Sequence, residues 1–364
     1  MQVQSNLNSL GYSELATGIA TIGHQITYLV EGEMGIGKST LLKLLQEMLP
    51  NHEPCYFDCT SKSVQDAFVP DISTAASENV VRMVPNAEFG IQHGKPIILM
   101  IDEFGKSEGD LRRVLNGVFQ ERKIGLLPLP EGSIVFGTSN LSTENLGDIM
   151  EPHTIDRICR VRLRKPTPME WLEYAFNNNI HAAVMGWVKD NDKLFQSFED
   201  VENPDDNVYI FHPNATRDGW VTPRGLEKCS HILHEQDKLG KRMTMASLVG
   251  TIGKEAAGDL AAFVTLASQL PSHEAIIDDP ENAPTPTTAV AMCMCVTRAL
   301  TKLKTNKDVS RWMKYLVRID KEAQQLFGIS ARRENYKQRD VVLSCLEYTE
   351  WCLDNNHLFE ADKR

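Results

Sequence analysis

The chain has 364 residues, 42% hydrophobic and 24% charged, an ordinary globular balance with apolar material for two or three domains. A formal net charge of −11 argues against an extended nucleic-acid footprint, which needs a positive face. No apolar run approaches the ~18 residues of a spanning helix, the opening residues lack the basic and apolar regions of a secretory leader, and the eight cysteines form no paired CxxC spacing of a zinc site. The expected setting is cytoplasmic, with reduced thiols and no membrane contact.

The first 25 residues are polar, with one weak helical pattern through Leu7, Leu10, Leu15 and Ile19. ITYLVEG (residues 26–32) predicts a buried strand running into a glycine-rich loop, and STLLKLLQEML (39–49) a helix stopped by Pro50. PCYFDCT (54–60) reads as a second strand, and residues 61–94 as polar and irregular. KPIILMIDE (95–103) is the continuous apolar run of a central parallel strand ending in two carboxylates. An amphipathic helix is predicted over 111–122, a buried strand over 132–140 and a short last strand over 159–163. This alternation predicts a parallel sheet with helices on both faces, the α/β core occupying residues 1–165.

Past Pro166 helical patterns dominate. They suggest a helical body over 166–272 with an acidic insertion near 198–215, a linker over 273–287, and a further helical region over 288–364 whose role no motif indicates.

Four features carry chemistry. GEMGIGKST fits GxxxxGK[ST] from Gly32 to Ser39 and lies between a predicted strand and a predicted helix, the context in which such a loop cradles phosphate. Lys38 is placed to reach β- and γ-phosphates and the Ser39 hydroxyl to ligate Mg²⁺. At the end of the apolar strand Asp102 suits the same metal, and Glu103 suits the orientation and deprotonation of a water. Against these stands a plain Asp-Glu helix cap. Asn140, ending IVFGTSN, is a candidate for holding that water, or else an asparagine in a strand-terminal turn. Arg157, Arg160, Arg162 and Arg224 are candidates for neutralising transition-state charge, or else solvated surface residues.

Taken in order, GEMGIGKST, ILMIDEFGKSEGDLRRVLNGVFQER, IVFGTSN, HTIDRICRVRL and VTPRGLEKCSHIL resemble an AAA+ ATPase, most closely the MoxR and dynein-related (AAA_5) branch, over about residues 20 to 265. The resemblance implies an α/β P-loop AAA+ core followed by an α-helical lid and a further helical C-terminal region. It implies ATP and Mg²⁺ bound through Gly32, Gly35, Gly37, Lys38, Ser39 and Thr40 of Walker A, with Ser39 and Asp102 on the metal and Glu103 completing Walker B. Asn140 matches sensor 1, Arg224 sensor 2, and Arg157 a finger reaching the next subunit's nucleotide.

The chain departs from the family at Ile158, where a phenylalanine is usual, so Arg160 and Arg162 stay open for the finger role. Between the sensor-1 strand and Arg157 the family's acidic and proline-rich text is only loosely present, and 123–133 is short for the hairpin before sensor 1. Residues 61–94 stand where this branch has a pore-facing insert, with Phe68 and Val69 as contacts or Phe68 as a buried anchor. The implied function is an ATP-hydrolysing homo-oligomeric ring, six subunits being usual, that remodels or matures protein complexes, von Willebrand factor A-domain proteins being frequent partners. The alternatives are a DNA-directed AAA+ motor or loader and a nucleotide-dependent assembly switch.

Overall fold

The computed structural model describes residues 9–73, 80–141, 155–268 and 270–355. They belong to two units, Met1–Lys165 and Pro166–Arg364. The first contains β1 (Ser9–Leu10), α1 (Tyr12–Ile22), β2 (Tyr28–Gly32), α2 (Thr40–Met48), β3 (Glu53–Asp58), β4 (Phe68–Asp71), β5 (Arg82–Pro85), β6 (Ile97–Asp102), α3 (Gly109–Glu121), β7 (Lys123–Ile124), β8 (Leu127–Pro128), β9 (Ile134–Asn140) and β10 (Cys159–Leu163). Six strands form one parallel sheet in the order β1-β10-β2-β9-β6-β3.

The apolar runs have this form because both faces of the sheet are covered. Along β6, Ile97, Leu99 and Ile101 point into a core shared with Leu111, Leu115 and Phe119 of α3. Ile98 and Met100 point the other way, toward Leu15 and Ile19 of α1 and Leu41 and Leu45 of α2. Side chains alternate along a strand, so a strand buried on both faces reads as one unbroken hydrophobic stretch.

Residues 61–94, expected to be irregular, contain the antiparallel hairpin β4–β5, with Val69 paired to Val84. Phe68 is half-buried against the α3-side core, whereas Val69, Val80, Val81, Met83 and Val84 are exposed. Residues 123–128 form a second small hairpin, β7–β8, with Leu126 exposed at its turn. Of the loosely matching stretch between Asn140 and Arg157, residues 142–154 lie outside the described residues.

The second unit is helical: α4 (Pro168–Asn177), α5 (Ala182–Lys189), α6 (Pro223–His234), α7 (Gln236–Ile252), α8 (Lys254–Ser268), α9 (His273–Asp278), α10 (Ala289–Lys302), α11 (Asn306–Leu316), α12 (Lys321–Arg332), α13 (Arg339–Leu343) and α14 (Leu346–Asp354). Between α7 and α8 the chain breaks at Gly253, whose φ of 85° leaves the helical region. A Cβ there would lie 2.6 Å from the Gly219 carbonyl oxygen, so this approach requires glycine.

One buried cluster joins Trp187 and Leu226, before the expected linker, to Trp312, Phe327 and Tyr348 after it. The stretch 273–287 is not an open connection. It begins with α9, which buries His273 and Ile276, and four of its backbone carbonyls are met by side chains. Arg311 donates to the Ile277 and Asp278 carbonyls at 2.8 and 3.1 Å, Arg318 to Pro280 at 2.5 Å and the Tyr315 hydroxyl to Pro284 at 2.8 Å. Its prolines and carboxylates suggested a solvated connection because these partners lie about thirty residues further on. The acidic stretch is held similarly, with Phe198, Val201 and Ile210 buried and Arg217 donating to the Asn207 and Ile210 carbonyls. Among the described residues no helix is long and apolar enough to cross a membrane.

His181 caps α5, its Nδ1 accepting from the Ala183 amide at 3.2 Å, a role only the neutral ring can fill. Burial first, then the neighbouring His234 and Arg298, push its pKa down to about 4 from the ordinary 6.5. The unfolded chain therefore takes up this proton before the folded one does. Stability present above pH 6.5 is expected to fall as pH drops toward 4, by at most about 3 kcal/mol. Denaturant midpoints against pH measure this, and His181→Asn, which keeps a capping oxygen, is expected to flatten the profile.

Candidate active site

β9 lies between β2 and β6, and this order assembles the candidate site. Gly32, the last residue of β2, registers with Asn140, the last of β9, while Gly137 registers with Ile101 beside Asp102. The loop after β2, the carboxylates after β6 and the polar end of β9 thus open at one sheet edge, the usual ligand-binding edge of an open α/β sheet.

The loop turns on Gly35 and Gly37, at φ 75° and 95°, where a side chain would be strained. The Tyr12 hydroxyl of α1 donates to the Ile36 carbonyl and holds the loop from outside. Lys38 is only 7% exposed. Its ammonium donates to the Gly32 carbonyl at 2.9 Å, the Glu33 carbonyl at 3.3 Å and Asn140 Oδ1 at 2.7 Å. Ser39 is the exposed N-cap residue of α2, Thr40 opens that helix, and the Ser39 hydroxyl makes no capping bond. It stands at a helix terminus that favours anions.

Asn140 bridges the two halves of the site. Its Nδ2 donates to Glu103 at 3.0 Å (Oε2) and 3.3 Å (Oε1) while its Oδ1 accepts from Lys38. Glu103 sits at φ 52°, ψ 39°, a left-handed conformation that costs a non-glycine residue about 1–2 kcal/mol. Its own N–H is held by Thr138 Oγ1 at 3.1 Å. Lys106 Nζ lies 3.1 Å from Glu103 Oε2. The turn carrying Lys106 is anchored by Arg112, which donates to the Gly105 and Ser107 carbonyls at 2.8 and 2.9 Å, and by the buried Phe104 ring, 4.8 Å from Phe119.

Asp102 accepts the Thr138 hydroxyl at Oδ1 and the Tyr56 hydroxyl at Oδ2, the latter at 2.7 Å. Burial, then the bond to Asp102, push the Tyr56 phenol up from its ordinary value, so it stays a donor. Sequence reasoning missed Tyr56, Thr138 in this role, and Lys106. Thr138 stood in the TSN already singled out and Lys106 three residues beyond Glu103, but Tyr56 carries no sequence signal until β3 is known to pair with β6.

The arginines have different local partners. Arg157, half-buried just before β10, donates to Gln120 of α3. Arg160 is held by Glu31 in a two-oxygen contact at 2.7 and 2.9 Å, and Arg162 lies within β10. Arg224 is exposed in the first turn of α6, in the second unit, where the Thr222 hydroxyl caps Gly225 at 2.9 Å and Pro223 starts the helix.

Residues 27–144, about a third of the chain, match the family described as "AAA domain (dynein-related subfamily)". A search of curated proteins finds no match. Among solved structures, the Thermotoga maritima RuvB Holliday junction branch migration motor is similar at 14% identity, covering 77% of this chain and 79% of its own, with a TM-score of 0.35. Hsp104 in a closed state with ATPγS and FITC-casein is similar at 20% identity and TM-score 0.34, over 50% of this chain and 38% of its own. NtrX from Brucella abortus with ADP follows at 11% identity and TM-score 0.35, over 71% and 67%. The first unit, which contains the matched residues, is a parallel sheet with helices on both faces, and a helical region follows it.

Proposed function

We propose that the chain is an ATP-hydrolysing AAA+ ring protein of MoxR-like type that remodels protein complexes in the cytoplasm, its active sites completed at subunit interfaces. The observation that carries this is the continuous chain from Lys38 through Asn140 to Glu103, with Asp102 beside it. In this reading, incoming phosphate oxygens replace the two loop carbonyls on Lys38. Glu103 accepts the proton of a water that Asn140 orients, the water oxygen bonds to the γ-phosphorus, and the bond to the β–γ bridging oxygen breaks, releasing ADP and phosphate. Arg157 of a neighbouring subunit stabilises the developing charge, and Arg224 takes the sensor-2 role that the family resemblance implies.

The donor set at Ser39 and Asp102, a hydroxyl and a carboxylate fixed by two other hydroxyls, suits a hard cation such as Mg²⁺. When bound, that ion supplies positive charge to the phosphate oxygens. The exposed apolar hairpin β4–β5 favours a polypeptide client over a nucleic acid. The resemblance to MoxR proteins extends the proposal to partners with von Willebrand factor A domains.

The test is steady-state phosphate release by the purified chain in ATP and Mg²⁺, with and without DNA. Turnover independent of DNA is expected. Turnover that appears only with DNA would transfer the proposal to a DNA-directed motor, and binding without turnover would leave an assembly switch.

A further inference from the structure

Glu33 is a carboxylate inside the loop that, on the nucleotide reading above, wraps a polyanion. Its carbonyl accepts from Lys38 Nζ at 3.3 Å, which makes it part of the cradle. Its side chain lies 2.7 Å from Lys165 Nζ, the two side chains being 8 and 10% exposed. Lys165 follows β10, and the end of β10 backs directly on the loop. A Cβ on Gly32 would lie 3.0 Å from the Leu163 carbonyl oxygen.

A buried carboxylate is weakly screened by water and opposes a nearby phosphate over several ångströms, while an ammonium fixed against it cancels most of that field. Ion pairs so enclosed rarely stabilise a fold beyond an apolar pair of equal size. Stability alone therefore gives little reason for an acid at this position.

We propose that Lys165 sets the nucleotide affinity of the loop by neutralising Glu33, without itself touching the ligand. The proposal rests on the nucleotide reading and predicts opposite effects from removing the two charges. A pair that merely held the loop in shape would lose affinity whichever partner was removed.

The experiment titrates mant-ADP and mant-ATP into the full chain for wild type, Lys165→Met, Glu33→Gln and the double variant, with thermal unfolding run alongside. Lys165→Met is expected to bind about tenfold more weakly, Glu33→Gln several-fold more tightly, and the double variant close to wild type. Weakening by both single variants, or no change in Lys165→Met, overturns the proposal. Should Lys165→Met not fold, Glu33→Gln decides: tighter binding upholds the inference and weaker binding ends it. A wild type that binds neither nucleotide defeats the nucleotide reading, and this proposal with it. A wild type that binds normally while the variants behave alike defeats this proposal only.

Discussion

Glu103→Gln is expected to lower ATP turnover by about 10²–10⁴-fold, the usual contribution of a general base, while leaving nucleotide binding within a few-fold of wild type. The substitution is nearly isosteric. The glutamine carbonyl oxygen can still accept from Asn140 Nδ2, now 3.0 Å from Glu103 Oε2, so the link to Lys38 persists. What disappears is a basic oxygen for the water proton and the charge opposite Lys106, 3.1 Å away. Phosphate release and mant-nucleotide titration on the same preparation separate the two effects. A variant keeping a tenth of wild-type turnover removes Glu103 from the role of base. One that loses binding as well shows that the carboxylate supports the loop. If the expected pattern holds, the variant held in ATP becomes the reagent for capturing the client, and recovery of nucleic acid without protein would count against a protein remodeller.

The parts of the site that were legible in the sequence are those whose chemistry is local. Gly35 and Gly37 announce a turn because their backbone angles exclude most other residues, and Asp102 and Glu103 follow five apolar residues because they stand where a buried strand emerges. Strand order is not local. Nothing in IVFGTSN says that β9 lies between β2 and β6, yet that position alone lets one asparagine touch both Lys38 and Glu103. Tyr56 was illegible for the same reason: it reaches Asp102 across a strand pairing. Lys165 was illegible because its partner Glu33 is more than a hundred residues earlier. The expected linker misled in a different way. Proline and acidic residues are the ordinary signs of solvated chain, and only contacts with Arg311, Tyr315 and Arg318 of the later helix region outweigh them.

Arg157→Ala is expected to lower turnover by about 10³-fold, within the range for an arginine that stabilises a phosphoryl transition state, and to do so without weakening nucleotide binding by its own subunit. Of the arginines in IDRICRVRL, Arg160 is committed to Glu31 of its own sheet by two short contacts, so Arg160→Ala should cost only a few-fold. Arg157 instead stands on the connection entering β10, held by the neutral amide of Gln120, a partner that a phosphate of higher charge can displace. A residue acting across an interface has a distinctive signature in mixtures. Arg157→Ala subunits retain Glu103, and Glu103→Gln subunits retain Arg157. In a mixed ring, an interface with the first as nucleotide holder and the second as arginine donor is complete. Two nearly inactive preparations should therefore recover a measurable fraction of wild-type turnover when mixed, most at equal proportions, and light scattering should show a ring in the mixture. No recovery, with mixed rings demonstrated, assigns Arg157 to its own subunit. A chain that stays monomeric with and without ATP removes the interface from the mechanism.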